Sequence, residues 1–305
     1  MVDTVTIFRP VRLLSPTPPP GWGMTACTRP FPDARGNQTQ FSFDDPITGY
    51  HAHGQRGEVL YHRASLPRLL HGQNGKLIKD QAELDTALSR MTQISGTLGH
   101  GSVPDRHFTR VDLVWQFLDD PARFIQAHRN CRHSRIRSDV IRYERRSLAL
   151  KGSALRIAIY DKILQQSGVD GNVVRVEVQL RGRLLKEHLG NGDRVTRLEF
   201  NACYQAYRRI LLGFIPTPIP KVSSIAQLLA IAEREAWEAE GIPAFDIYTA
   251  GMSARHLRRL KHEMAVLRPL VHHIDWAQLL PPDSPPPVVE LNDEPPMADC
   301  EKDVA

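Results

Sequence analysis

The chain has 305 residues, 41% of them hydrophobic, with 39 Lys or Arg and 34 Asp or Glu. A chain of this length buries a sizeable core and forms one large domain or two smaller ones. No apolar run approaches the roughly 18 residues of a membrane helix, and the first residues lack a signal-peptide pattern, so the sequence predicts a cytoplasmic protein without a membrane partner. The four scattered cysteines indicate neither a zinc site nor a disulfide framework.

The positive charge is concentrated in the body of the chain. Residues 281–305 hold seven acids and one lysine, which leaves 38 basic and 27 acidic residues before them and a net charge of +11. This charge favours a nucleic-acid partner, although a basic surface without such a role is the alternative. The acidic, proline-rich segment 281–305 is predicted to be a disordered tail that competes with phosphates.

The first half of the chain predicts a loop-rich start followed by alternating strands and helices. Turn residues break the periodicity of the N-terminal segment 1–55. A strand over Arg56–Arg63 and a helix over Lys79–Gln93 follow. Alternation then predicts a half-buried strand over Phe108–Phe117, and Asp119 is positioned to cap the next helix.

The second half changes from strand to helix. Strands over Ser153–Lys162 and Asn172–Gly182 are predicted to form a hairpin, and helical spacing of apolar residues begins near Leu198, Ser223 and Ser253. The fold class is therefore predicted to be α+β, with an antiparallel sheet and flanking helices. A catalytic-type domain over 56–215 precedes a small helical domain over 221–280, with a proline-rich boundary between them.

Alternation along the predicted strands collects polar residues on one face of the sheet. In LRIAIYDKIL the apolar Leu155, Ile157 and Ile159 point one way and Tyr160 the other. The strands FTRVDLVWQF and NVVRVEVQL show the same pattern. The predicted polar face carries Asp112, Glu177, Tyr160, Lys162, Arg110, Arg156 and Arg175.

This set of side chains suits phosphate chemistry. Two carboxylates hold a hard cation such as Mg²⁺ or Mn²⁺, and a tyrosine hydroxyl beside a lysine can attack phosphorus while cations stabilise the developing charge. The alternative is a solvated sheet face with no catalytic role.

The region 123–156 has the strongest local positive charge, with ten basic residues and two acids. We expect it to contact the DNA backbone. The candidate contacts here are Arg135, Arg137, Arg145 and Arg146. Arg110, Arg156 and Arg175 of the predicted polar face are further candidates for binding DNA. A separate candidate is the pair His51 and His53, since alternate histidines on a strand point to one side and can share a metal.

Four short motifs in order resemble the gene II and gene X replication initiators of filamentous phages and related plasmid initiators. They are LLHGQNG, FTRVDLVWQF, LRIAIYDK and VVRVEVQLRGRLLKE, and the similarity spans about His71 to Phe214. The family's loop resembles Gly-His-Asn, whereas this chain has Gly72-Gln73-Asn74 with the histidine one residue earlier.

The resemblance implies rolling-circle replication in a bacterial host cell. It implies that Tyr160 is the nucleophile, with Lys162 as its neighbour, and that Asp112, Glu177 and His71 hold Mg²⁺. The implied enzyme nicks one strand of supercoiled origin DNA, keeps the 5′ phosphate on tyrosine, and later closes the displaced single strand. The implied partners are double-stranded and single-stranded origin DNA, a host helicase and a polymerase.

Two other functions fit the same residues. One is a non-catalytic DNA-binding protein that controls replication through its basic surface. The other is a metal-dependent nuclease that uses no tyrosine. Should Tyr160 not be the nucleophile, Tyr143 and Tyr204 are the alternatives.

Overall fold

The structure is a computed structural model, which describes residues 1–13, 20–30, 37–55, 58–100, 106–129, 131–136, 140–143, 146–168, 171–190, 192–215, 221–238, 248–271 and 274–291. No helix within these ranges is long and apolar enough to cross a bilayer. The strands are β1 Val2–Leu13, β2 Gly23–Pro30, β3 Asn37–Asp44, β4 His51–Gln55, β5 Glu58–Ser65, β6 Gly99–His100, β7 His107–Leu118, β8 Arg132–His133, β9 Val140–Tyr143, β10 Ser147–Lys151, β11 Leu155–Asp161, β12 Val173–Arg181 and β13 Phe214–Ile215.

The helices lie between and after the strands. They are α1 Leu66–His71, α2 Gln81–Leu98, α3 Pro121–His128, α4 Lys162–Ser167, α5 Gly182–Leu189, α6 Phe200–Leu211, α7 Ser224–Glu238, α8 Ala254–Val271 and α9 Trp276–Leu279. Helix α3 begins at Pro121, and its cap is Asp120, whose side chain accepts a hydrogen bond from the Ala122 N–H. The expected cap, Asp119, instead pairs with Arg123.

One antiparallel sheet dominates the molecule, in the order β2-β3-β4-β5-β1-β7-β12-β11-β10-β9, with β6 beside β1. This confirms the predicted α+β class. The prediction that the segment 1–55 is loop-rich is wrong. Its first strand, β1, lies between β5 and β7 near the middle of the sheet. Strands β11 and β12 are antiparallel neighbours, as expected, although α4 lies in their connection.

The main apolar core lies on the face of the sheet opposite to the polar residues. Phe117 of β7 stacks on Phe124 of α3, and the hydroxyl of Tyr207 in α6 donates to the Val176 carbonyl at 3.1 Å. Trp276 packs edge-on against both phenylalanines and is 4% exposed. The core therefore joins the central strands to α3, α6 and α9.

Helices α7 and α8 form a second, smaller apolar core. Ala226, Leu229 and Ala230 of α7 pack with Leu260 and Met264 of α8. The predicted helical region 221–280 therefore has a core of its own. Its last residues belong elsewhere, because Trp276 and Leu280 are buried in the main core.

Residues 281–291, predicted as the start of a disordered tail, pack along the sheet-containing domain. The backbone carbonyls of Leu280, Pro281 and Pro282 accept hydrogen bonds from α6, and the Val289 carbonyl accepts one from Gln116 at 2.7 Å. Glu290 forms an ion pair with Lys79. Proline-rich composition suggested disorder, but these carbonyl contacts hold the segment; residues 292–305 lie outside the described residues.

Candidate active site

Strand register places the predicted polar residues of β7, β11 and β12 on one face, as expected. Tyr160 of β11 lies opposite Arg175 of β12, which lies opposite Gln116 of β7. Two residues further along β12, Glu177 is flanked by Ala158 and Val114. The small Ala158 leaves space over the sheet beside the tyrosine.

The Tyr160 hydroxyl donates a hydrogen bond to the Glu177 Oε1 atom at 2.5 Å. Burial raises the pKa of Tyr160 well above its usual range; the Arg175 guanidinium opposes this shift and the Glu177 carboxylate adds to it. The phenol is therefore protonated at neutral pH. A base is needed to remove its proton, and Glu177 is the carboxylate in contact with it.

Arg175 lies at the centre of this arrangement and is 1% exposed. Its guanidinium lies 3.0 Å from Asp3 Oδ2 and 3.2 Å from Glu177 Oε1. It also donates to the Asn74 carbonyl at 2.9 Å and to Gln116 Oε1 at 3.2 Å. Arg175 therefore holds Glu177 in place through their ion pair. The prediction that Arg175 contacts DNA phosphates is wrong, because the side chain is buried.

The loop His71–Gly75, part of the LLHGQNG motif, supports the same network. Gly72 has φ of 78°, a left-handed conformation that ends α1 and suits glycine. The Asn74 side chain accepts a hydrogen bond from Ser65, and the Asn74 carbonyl faces Arg175. This loop thus has a structural role beside the site.

An open groove of about 480 Å³ passes over Tyr160. Its lining includes Glu177, Arg146, Arg156 and Gln165. Arg156 is exposed, whereas Arg146 forms an ion pair with Asp161 at 2.9 Å. The groove brings a phenol, a carboxylate and two guanidinium groups together at the surface.

Asp112 lies on the predicted polar face, where it forms an ion pair with Arg110. Both of its carboxylate oxygens accept hydrogen bonds from that guanidinium, and Asp112 is 4% exposed. Burial raises the pKa of Asp112, and the Arg110 hydrogen bonds oppose the shift. Arg110, predicted to bind DNA, is thus the ion-pair partner of Asp112.

The three residues predicted to hold Mg²⁺ do not form a common site in this arrangement. Among the described residues, no three His, Cys, Asp or Glu side chains are grouped so that they could hold a metal. His71 lies 3.7 Å from Glu83, and burial lowers the pKa of His71. Glu177 and Asp112 each face an arginine that a cation would have to displace. As arranged, these residues do not fit Mg²⁺.

The prediction that Lys162 lies beside Tyr160 on the polar face is wrong. Strand β11 ends at Asp161, whose side chain accepts from the Leu164 N–H and caps α4, so the strand alternation stops one residue before Lys162. Lys162 is the first residue of that helix and is 5% exposed. Its amino group lies 3.4 Å from Gln165 Oε1.

The remaining predicted residues are distributed over the surface. Arg135 pairs with Glu187 and lines a separate depression. Arg137 and Arg145 lie outside the described residues. His51 hydrogen-bonds to Asp44 at 2.7 Å, and His53 lies opposite Tyr61, so neither belongs to a described metal group.

Sequence reasoning missed Asp3, Asn74 and Gln116. The signal for Asp3 was present, because VDTVTIF alternates and is rich in β-branched residues, which favour a strand. Asn74 lies in the LLHGQNG motif, but no local pattern indicates that Asn74 or Gln116 contacts Arg175, because both contacts join segments that are far apart in the sequence.

No family model matches the chain, and no curated protein matches it significantly. Among solved structures, it is similar to a rolling circle replication initiator protein from Geobacillus stearothermophilus, at 13% identity and a TM-score of 0.28. The match covers 59% of this chain and 73% of that one. A likeness at this level lends no support to conclusions about this chain.

Proposed function

We propose that this protein is a rolling-circle replication initiator that nicks and rejoins one strand of origin DNA through a tyrosine-linked intermediate. The observation that carries the proposal is the contact of Tyr160 with Glu177 in an open groove that two arginines line. The four motifs of the sequence support it, and the placement beside filamentous-phage initiators rests on those motifs alone.

The cleavage step uses the Tyr160 hydroxyl as nucleophile. Its oxygen attacks the phosphorus of the scissile phosphodiester, the bond from phosphorus to the 3′ oxygen breaks, and the Tyr160 proton passes to Glu177. The 3′ oxygen takes a proton from solvent and leaves as a hydroxyl, and the 5′ phosphate stays on the tyrosine. Joining is the reverse reaction, so no nucleotide is consumed.

Charge stabilisation in this step is assigned to Arg156 and Arg146, which line the groove. Arg175 acts differently, because it is buried and touches Glu177 rather than solvent. Arg175, itself held by Asp3, is a positioning residue that keeps the Glu177 carboxylate in contact with Tyr160.

The requirement for Mg²⁺ or Mn²⁺ stays a prediction, and so do the host helicase and polymerase. Cleavage of origin DNA with Mg²⁺, with Mn²⁺ and with excess EDTA measures the metal requirement directly. Equal cleavage in all three would remove it.

The deciding experiment looks for a covalent protein–DNA adduct. Full-length protein is incubated with supercoiled origin plasmid and Mg²⁺, then denatured, and nicked circles and adducts are counted. Tyr160→Phe removes only the hydroxyl, so the adduct should disappear while binding persists. Glu177→Gln should slow the adduct-forming step by about 10²- to 10⁴-fold.

Tyr204→Phe is the matched control. Its hydroxyl donates to the Pro281 carbonyl, away from the groove, so adduct formation should continue. Adduct formation by Tyr160→Phe would contradict the assignment, and phosphopeptide mapping would then identify the tyrosine used.

A non-catalytic DNA-binding protein is the second candidate function. Helix α8 favours it, since Arg255, Arg258, Arg259 and Lys261 are all exposed on that helix. That function predicts salt-dependent duplex binding without nicking or adduct formation.

A further inference from the structure

A row of arginines crosses the polar face at some distance from Tyr160. Arg181 of β12 lies opposite Arg110 of β7, Arg110 opposite Thr6 of β1, and Thr6 opposite Arg63 of β5. Like charges that face each other across strands destabilise a sheet. Partial burial lowers the pKa of Arg63, the charges of Arg110 and Arg181 lower it further, and the Asp112 and Asp3 carboxylates oppose the shift without cancelling it.

The carboxylates near this row do not balance it. Asp112 is committed to Arg110, and Asp3 to Arg175. Among the described residues, no carboxylate forms an ion pair with Arg63 or Arg181, and both arginines are exposed. Two cations on this face are therefore available to an external anion.

Aromatic side chains form the next row on the same face. Phe8 of β1 lies opposite Tyr61 of β5 and His107 of β7. The Phe8 ring centroid is 5.5 Å from that of Tyr61 and 5.1 Å from that of His107. Tyr61 is 40% exposed, so part of its ring is open to stacking.

We propose that Phe8, Tyr61 and His107 form a stacking platform for unpaired DNA bases, with Arg63 and Arg181 holding the phosphates between the platform and Tyr160. Aromatic rings beside a positive row are the chemistry that binds single strands without reading sequence. The path across five strands from Tyr61 to Tyr160 measures roughly 30 Å by ideal strand spacing, which accommodates several nucleotides.

This inference rests on the proposed function, because nicking at Tyr160 would need a way to hold the unpaired origin strand. It adds the location of that strand and the two interactions that hold it. The test therefore measures binding, not cleavage.

Tyr160→Phe protein, in full length, provides a background that does not cleave. A single-stranded DNA oligonucleotide of about 16 nucleotides carries 2-aminopurine, whose fluorescence falls on stacking. We expect quenching on binding, and we expect Tyr61→Ala to weaken binding by about 5- to 100-fold and remove much of the quenching. Tyr61→Phe should keep both.

Tyr248→Ala is the matched control, because Tyr248 is 49% exposed and lies outside the sheet. It should bind like its parent. Arg63→Gln should lower the slope of log affinity against log salt by about 0.7 for a single strand. The affinity for duplex DNA should change less than twofold in Tyr61→Ala. Circular dichroism of this variant checks that it is folded.

Three results would overturn the platform: unchanged affinity and quenching in Tyr61→Ala, equal affinity for an oligonucleotide with abasic sites, or tighter Tyr61-dependent binding of RNA of the same sequence. The proposed function fails separately. Absence of nicking by the unmodified protein, with single-strand binding that still depends on Tyr61, would remove the initiator assignment and leave the platform.

Discussion

Two regions of the molecule carry several basic side chains: the polar face of β7, β12 and β11, and the outer side of helix α8. The environment of these side chains differs between the two regions. On the sheet, Arg175 and Arg110 are largely enclosed and face carboxylates. On α8, Arg255 and Arg258 are exposed to solvent. Enclosed ion pairs fix geometry and are costly to break, whereas exposed cations contribute to long-range attraction that salt screens.

The largest expected effect is the loss of Arg175. Replacing it with Met should lower the free energy of unfolding by about 3–5 kcal/mol, because Asp3 and Glu177 are left as unbalanced carboxylates in a nearly dry site. Urea unfolding measures the change. Arg156→Met is the control, since Arg156 is exposed, and should change stability by no more than about 0.5 kcal/mol. Equal losses of unfolding free energy in Arg175→Met and Arg156→Met would contradict the contrast between enclosed and exposed cations.

A buried histidine elsewhere in the sheet gives the next largest effect. His62 is 1% exposed, and burial lowers the pKa of His62 to about 4. The Tyr50 hydroxyl lies 2.6 Å from His62 Nδ1, and the Arg9 carbonyl lies 3.0 Å from His62 Nε2. These contacts suit a neutral ring.

The unfolded chain binds a proton at His62 below about pH 6.5, while the folded chain does so only below about 4. Stability should therefore fall as pH decreases through this window, by roughly 3 kcal/mol from this residue. In His62→Gln, the slope of the free energy of unfolding against pH should fall between these limits by the amount that corresponds to about one bound proton. An unchanged slope in urea titrations at several pH values would refute the assignment.

The Arg110–Asp112 pair should show a smaller effect. A double-mutant cycle with Arg110→Leu and Asp112→Leu should give a coupling energy of about 1–3 kcal/mol in unfolding, since the carboxylate accepts two hydrogen bonds from one guanidinium. The double variant should be more stable than Asp112→Leu alone. A coupling energy near zero would mean that Asp112 is held for another purpose, such as the predicted metal.

The smallest effect on stability is expected on α8. Replacing Arg255, Arg258 and Lys261 with Gln should change unfolding by no more than about 0.5 kcal/mol for each residue, because all three are exposed. The slope of duplex affinity against salt should fall by about 0.9 for each DNA phosphate that the variant no longer neutralises. An unchanged slope, measured by fluorescence anisotropy, would assign the helix to packing or to a protein interface.

The sequence predicts the strands of this site better than its contacts. Alternation in β7, β11 and β12 places Asp112, Tyr160 and Glu177 on the correct face, because facing is a local property of a strand. Register is not local. Arg175 is enclosed by Asp3 and Asn74, and these contacts join segments that are far apart in the sequence.

Three errors have specific physical causes. Lys162 was assigned to the strand because the alternation continued, but Asp161 caps a helix and ends the strand. The prediction that Arg175 binds DNA follows from its place on the polar face, but Asp3 of the unrecognised strand β1 and the Asn74 loop enclose it. The proline content of 281–291 likewise concealed the backbone carbonyls that hold this segment.

The central position of β1 determines the order in which the molecule can be built. This strand pairs Thr4 with Ser65 and Val2 with Leu113, so its partners are synthesised long after it. Pairings of such sequence separation are slow to form, on the order of milliseconds to seconds. The Asp3–Arg175 contact closes only once β12 has left the ribosome, so the ion pairs that hold Glu177 beside Tyr160 are complete only after synthesis has passed that strand.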